Sequence, residues 1–464
     1  MCNMKRLFCC FLVGVGGLVV LLSASHAAEP SRPHVVIFFT DDQGTLDANC
    51  FGSSDLYTPS IDRLAHEGVR FTRAYAHAVC CPSRAMLLTG RYPQRCNVNM
   101  WTQGNAKGPK GRNLLLSEVT LAEALQAVGY QTALFGKWHL GADKDHGPMR
   151  QGFDEFFGLR GGFIDNYNHF YLHENGFHDL YEGAREVFAQ GKYFPDLITR
   201  RALSFIDENH SSPFFLLLAF NTPHYPEQSD AIFDDRYKDM KMPRQSYAKM
   251  ISTTDNRIGK VLEKLDECGI ADNTIVICMS DNGHSEEDYQ IKGRHHPSGF
   301  PEGMNYGAHG GGGNTGKWIG CKGTFLEGGV RVPAVMRFPS KLPHGAVRHQ
   351  TVSAMDWFPT VLELCGVPMQ ENDLDGHSLV PLMQNATIPS PYEKLHWQWG
   401  NRWAVLNGEW KLLGEKNVPT NLFFLAEDQP EQNDYLSTQP GRVEAMLEQH
   451  LQWLEDVTNQ HDHQ

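Results

Sequence analysis

The sequence predicts an α/β protein: a large, mixed but mostly parallel sheet sandwiched by helices, followed by a smaller C-terminal antiparallel sheet with a closing helix. Three observations carry this expectation. Short apolar runs rich in β-branched and aromatic residues end abruptly in polar clusters. Segments with helical spacing of apolar residues separate those runs. Beyond residue 368 the pattern changes to short strand-like stretches joined by turns.

In chain order, the first strand runs from His34 to Thr40 and ends on Asp41-Asp42-Gln43-Gly44. The second, Gln131–Phe135, ends on Gly136-Lys137-Trp138-His139. Pro213–Phe220 ends on Asn221-Thr222-Pro223-His224, and Thr274–Met279 ends on Ser280-Asp281-Asn282-Gly283. Runs of this length, apolar on both faces, suit buried parallel strands. Ser117–Val128 and Tyr247–Leu265 read as helices, with Gly129 and Gly269 as stops. Alternation of strand and helix puts helices on both faces of one sheet. After a helix near Ala354–Leu364, Arg402–Asn407 and Glu409–Leu413 flank Gly408; Asn421–Leu425 and the amphipathic stretch Arg442–Val457 follow. These predict the small sheet and its helix. The expected division is residues 1–28 as a leader, 29–368 as the catalytic domain and 369–464 as the C-terminal subdomain.

The leader is predicted because Lys5 and Arg6 precede a 16-residue apolar run, Leu7–Leu22, followed by small residues. This is the layout of a secretory signal peptide, and the run is shorter than the roughly 20 residues a spanning helix needs. The expected location is therefore periplasmic or secreted, or lysosomal in a eukaryotic host, with no membrane attachment after cleavage. A net charge of −13 argues against nucleic acid as a partner. Of 11 cysteines, eight lie beyond the leader and are too scattered for a disulfide scaffold. Asn209-His210-Ser211 and Asn385-Ala386-Thr387 fit the glycosylation acceptor pattern.

Ligands bind outside the carboxyl ends of parallel strands in such sheets, so the four polar clusters are expected to converge on one site. Asp41, Asp42, Asp281 and Asn282 offer a hard-cation oxygen set, suited to Ca²⁺ or Mg²⁺. Lys137, His139, His224 and Lys322 form a cationic or protonatable set. Beside a divalent cation, that set implies a compact anion between them, phosphate or sulfate, with lysines as point charges and histidines moving protons. In Cys80-Cys81-Pro82-Ser83-Arg84, Pro82 suits the first position of a helix, which would set Cys80 at the helix mouth. Cys80 could then be a thiolate of lowered pKa, a modified cysteine, or a small buried hydrophobe.

Cys80-Cys81-Pro82-Ser83-Arg84 followed by Thr89-Gly90-Arg91 resembles the signature of the type I, formylglycine-dependent sulfatases of the alkaline phosphatase superfamily. Gly136-Lys137-Trp138-His139-Leu140-Gly141, Asp41-Asp42, Ser280-Asp281-Asn282-Gly283, and Lys322 ahead of Glu327–Pro333 match in the same order, over roughly residues 33–435. The resemblance implies that a formylglycine-generating enzyme converts Cys80 to Cα-formylglycine. It implies one Ca²⁺ held by Asp41, Asp42, Asp281, Asn282 and the hydrated aldehyde at residue 80. One hydroxyl of that diol would attack sulfur, and loss of a proton from the other would expel sulfate. Arg84 would hold the diol, Lys137 and Lys322 the sulfate oxygens; His139 would be the base, and His224, with or without Lys322, the donor to the leaving alcohol.

Gly283–Gly320 should form part of the pocket wall, with Asp165–Tyr181 near it; both are rich in His, Asn and aromatic residues. Such groups suit a sulfated carbohydrate, with small aryl sulfates as further substrates. The alternative on the same scaffold is a phosphodiesterase or phosphonate monoester hydrolase. A non-catalytic binding protein would require loss of a site residue, and none is lost. A plain thiol hydrolase leaves the carboxylates unexplained.

Overall fold

The computed structural model describes residues 32–100, 113–369 and 374–459. The predicted leader, 1–28, lies outside the described residues. Residues from Arg32 onward form one compact unit.

Five parallel strands make the centre of an 11-stranded sheet, in the spatial order Thr274–Ser280, His34–Asp41, Phe214–Pro223, Gln131–Lys137, Glu155–Leu159. Each apolar run predicted as a strand is one, extended by one to three residues into its polar cluster. Arg331–Arg337 continues the sheet antiparallel on one side, and Tyr181–Glu182 does so on the other. Side chains of the first strand alternate as the pleat requires. Val35, Ile37 and Phe39 join one hydrophobic core, and Val36 and Phe38 the other. Burial on both faces is why the run reads as continuously apolar rather than alternating.

Helices Pro59–His66, Phe194–Asn209 and Arg244–Glu267 cover one face through Leu64, Ile198, Phe205, Ile258 and Leu262. Cys80–Thr89 and Trp357–Cys365 cover the other. Two expectations need correction. The helix expected over Ser117–Val128 spans only Leu121–Gln126, because Thr120 and Glu123 form a capping box that fixes its start. The helix at the signature begins at Cys80 rather than Pro82. The Ser83 hydroxyl, accepting from the His77 amide, holds the preceding turn.

The C-terminal sheet has four strands, Lys394–Trp399, Arg402–Asn407, Trp410–Glu415 and Val418–Phe424, paired antiparallel in sequence order. The first of these was not anticipated. Helix Pro440–Asn459 lies on this sheet, with Met446 packed among Trp403, Val405, Leu412 and Leu422. The other face joins the main core through Leu395, Trp397, Ala404 and Leu406.

A buried ionic knot ties this sheet to the strand Arg331–Arg337. Lys411 Nζ contacts Glu327 Oε1 at 2.6 Å and Glu431 Oε1 at 3.0 Å, with all three side chains fully buried. Tyr75 donates to Glu327, and Arg331 pairs with it. Burial alone would raise the Glu327 pKa, but Lys411 and Arg331 hold it down at about 2. Removing one partner of a buried pair leaves the other charge unpaired, so Lys411→Ala is expected to cost about 3–5 kcal/mol, measured by denaturant unfolding.

His450 is 1% exposed, stacked on Trp403 at 4.3 Å, and neither ring nitrogen has a hydrogen-bond partner among the described residues. Burial lowers its pKa from 6.5 to about 4. Below pH 6.5 the unfolded chain takes a proton that the folded one refuses, so this group costs stability as pH falls from 6.5 toward 4. His450→Phe is expected to reduce the loss of stability over that window, read from unfolding midpoints at pH 7 and pH 5.

Candidate active site

Parallel pairing sets the carboxyl ends of three central strands side by side. Thr40 is in register with Ser280, and a bulge after Phe39 brings Asp41 opposite Pro223. Asp42 then turns the chain with φ 66°, and His139, just past its own strand, has φ 56°. Both are non-glycine residues in the left-handed region, a conformation that persists only where surrounding structure enforces it. Tyr247 Oη supports the first turn, donating to the Asp42 carbonyl (3.0 Å) and accepting from the Gly44 amide (2.9 Å).

The result is a dense buried charge cluster. Potential ligand atoms of Asp41, Asp42, Cys80 and His224 all lie within 4.8 Å of one another. Asp281 Oδ1 accepts from the Asp42 amide, and Asn282 Nδ2 donates to Asp42 Oδ1 (2.7 Å). Lys137 Nζ sits 2.5 Å from Asp41 Oδ2, Lys322 Nζ 3.0 Å from Asp42 Oδ2, and Arg84 Nη2 2.9 Å from Asp281 Oδ2. Arg84 also donates to the Lys137 carbonyl. Every residue in the predicted site is thus brought to one place; His139 feels the field of Lys137 and Arg84 there.

The electrostatics follow from burial and crowding. Burial opposes ionisation of Asp41, but Lys137, His224 and Arg84 outweigh it and hold this carboxyl well below the usual range. Asp42 is pushed up to about 6, by burial and by Asp41 against the pull of Lys322. Asp281 is pushed up to about 7 by burial and by Asp41. Three carboxylates cannot all ionise comfortably in one dry spot without further positive charge. Burial, Asp281 and Asp41 push the Cys80 thiol well above its ordinary value. The lowered-pKa thiolate considered from the sequence is therefore disfavoured: these carboxylates outweigh the helix terminus.

A hard cation fits this donor set. Asn282 is fully buried, and its Oδ1 has no hydrogen-bond partner among the described residues. That orphaned acceptor stands beside three carboxylates, and such oxygen donors are the ligands calcium and magnesium prefer.

Burial and the Lys137 and Arg84 charges pull His139 well below 6.5, leaving a neutral imidazole. Burial and Lys322 pull His224 to about 3. His224 Nδ1 lies 2.6 Å from the Tyr225 carbonyl oxygen, so its neutral form carries the proton there. None of the eight cysteines among the described residues forms a disulfide.

The two predicted wall segments meet each other, the His173 and Tyr289 rings lying 4.5 Å apart, and Phe163, just ahead of the first segment, links them to His224. Phe163 stacks on His224 at 5.3 Å and packs against His173 and Tyr225; Tyr289 and Tyr306 complete the cluster. Sequence reading missed Glu287. It lies 3.4 Å from Lys322 and accepts from Tyr289 Oη. Despite burial, Lys322 and His224 hold its pKa at about 2. Its position four residues beyond Gly283 was the available signal.

A family model described as Sulfatase matches residues 33–367, and one described as N-sulphoglucosamine sulphohydrolase, C-terminal, matches 318–456. The chain is 32% identical to mouse (Mus musculus) Arylsulfatase J, over 76% of this chain and 56% of that protein, so it spans little more than half of that relative's length. It is 30% identical to the N-acetylgalactosamine-6-sulfatase of Canis lupus familiaris, over 83% of this chain and 76% of the other. A crystal structure of Ps i-CgsB in complex with k-i-k-neocarrahexaose superposes with TM-score 0.78 at 29% identity, covering 91% of this chain and 93% of that one.

Gly136 precedes Lys137 with φ 125°, and a Cβ there would stand 1.8 Å from the Ala219 carbonyl oxygen of the neighbouring strand. Gly136→Ala is expected to cost about 3 kcal/mol or more, from backbone strain and forced strand separation together, read as a lowered unfolding midpoint.

Proposed function

The chain belongs to the sulfatase family of enzymes, and on that premise we propose that it releases inorganic sulfate from a sulfated carbohydrate. The observation that carries the proposal is the buried meeting of Cys80 with Asp41, Asp42, Asp281 and Asn282 on one side and Lys137, Lys322, His139 and His224 on the other. Relatives named for N-acetylgalactosamine 6-sulfate and a structural neighbour holding a carrahexaose support a sugar as leaving group. So does the aromatic wall beside His224, since flat aromatic faces suit sugar rings.

In this reading Cys80 is oxidised to formylglycine by a formylglycine-generating enzyme, and its hydrate is the nucleophile. A calcium ion on Asp41, Asp42, Asp281 and Asn282 would add positive charge against the nucleophile and the sulfate oxygens. The chain's own residues do the rest. Arg84 anchors residue 80 by holding Asp281 and the Lys137 carbonyl in place. Lys137 and Lys322 present fixed ammonium groups to oxygens that gain charge as the S–O bond breaks; such preorganised charge is worth most in a dry site. His139, kept neutral, can take the proton whose loss expels sulfate. Proton delivery to the departing alcohol falls to the side where Lys322 and His224 stand together. Lys322 keeps its proton there and can pass it to the alcohol oxygen, with the neutral His224 beside it to position that oxygen. The leader predicts that this happens outside the cytoplasm.

Cys80→Ala is expected to abolish sulfate release while leaving the unfolding midpoint near that of the wild type. The residue-80 peptide of active enzyme should have the mass of an aldehyde in place of a thiol. Sulfate release by the variant at near wild-type rate would overturn the assignment. Faster turnover of an aryl phosphodiester than of an aryl sulfate would favour the phosphodiesterase alternative.

A further inference from the structure

Two loops run outward from the active site to a second cavity. One begins at Phe163, which stacks on His224, and reaches Tyr167. The other begins at His224 itself and reaches Asp230. Tyr167 and Asp230 both line a cavity of about 470 Å³ on the helix Phe194–Asn209, within the usual size range of ligand sites. Tyr193 shares the cavity and lies against Tyr167 with ring centroids 5.2 Å apart. Both phenols are anchored: Tyr167 Oη donates to the Ser229 carbonyl and Tyr193 Oη to that of Gln228. Asp230 is six positions beyond His224 in the chain, so the cavity begins within roughly 20 Å of that histidine.

The charges at this cavity are unequal. Its two carboxylates, Asp196 and Asp230, are both bound to Arg257, which is 3% exposed. Their charge is thereby half consumed inside the protein. Lys192, Arg200 and Lys260 line the same cavity and are exposed. None of these three is ion-paired to a carboxylate among the described residues. Three exposed cations thus stand beside two carboxylates that already share the buried Arg257, in a chain whose net charge is −13. Local excess positive charge on an acidic protein is not background, and an anionic ligand is the partner it fits.

We infer that this cavity is a second binding site, one that takes an anionic, sulfate-bearing sugar unit of a polymeric substrate away from the ester being cleaved. The three cations meet sulfate groups, and the half-buried Tyr167, backed by Tyr193, offers its ring to the sugar. Holding a distant unit raises the effective concentration of the reacting unit at the active site, so the enzyme should act on chains better than on isolated units. The inference rests on the sulfated-carbohydrate reading above.

The test uses full-length enzyme carrying Lys192→Glu, Arg200→Glu and Lys260→Glu together, with Lys192→Gln, Arg200→Gln and Lys260→Gln as a milder companion. Turnover of para-nitrophenyl sulfate, which occupies only the catalytic centre, should be unchanged in both and reports intact folding. Binding of chondroitin sulfate and of a sulfated galactan is measured on the Cys80→Ala background. The better-bound polymer should lose about tenfold in affinity with the Glu variant, as three surface charge contacts would give, and less with the Gln variant. The difference should vanish in about 1 M salt, where screening reaches about 3 Å. Equal binding by wild type and the Glu variant, or no binding of either polymer by wild type, overturns the inference. Failure of the sulfatase reading would instead show as absence of sulfate release by wild type from para-nitrophenyl sulfate and polymers alike.

Discussion

Three carboxylates packed at the ends of parallel strands set the constraint that the rest of the site answers. Asp41, Asp42 and Asp281 are fully buried, and buried charge is tolerated only when paired or bound to a metal. Arg84, Lys137 and Lys322 each meet one of them within 3.0 Å. Even so, burial and mutual repulsion lift Asp42 and Asp281 toward neutrality. Three cations against three carboxylates thus do not keep all of them ionised, and the Asn282 carboxamide oxygen has no donor among the described residues. A divalent cation answers both deficits at once.

That cluster also explains why a plain cysteine is a poor nucleophile here. A thiolate at residue 80 would face Asp41, 3.3 Å away, and Asp281. The histidines follow the same logic. Burial with nearby lysines keeps both neutral, so the proton traffic of the site is shared between neutral imidazoles and charged ammonium groups.

Around the centre, geometry is enforced from several directions. Left-handed backbone at Asp42 and His139, a side-chain-free Gly136 against Ala219, and the Tyr247 hydroxyl under the Asp42 turn all hold strand ends in place. The C-terminal sheet is fastened behind them: Trp397 donates to the Ala76 carbonyl, four residues before Cys80, and Lys411 reaches Glu327. The aromatic cluster of Phe163, Tyr225, Tyr289 and Tyr306 draws its members from three separate loops onto His224. Loops of this kind can change without disturbing the strands, which is where variation in substrate would be accommodated.

Much of this was legible in the one-dimensional record. Period-two burial on both faces made the strands continuous apolar runs, and turn-forming Asp, Asn and Gly marked their ends. The chemistry of Asp41, Asp42, Lys137, His139, Asp281 and Asn282 could therefore be placed at strand termini from local pattern alone. Lys394–Trp399 alternates polar and apolar residues as a strand should, yet sequence reading missed it; His396, polar but buried, is decided by the packing and not by the pattern. What the sequence could not determine is anything that depends on partners distant along the chain. The contact of Glu287 with Lys322, the knot around Lys411, the raised pKa of Cys80 and the cationic cavity beside Tyr167 and Tyr193 all arise from through-space charge and burial. Local propensity has no term for such distances, so only the folded chain could decide them.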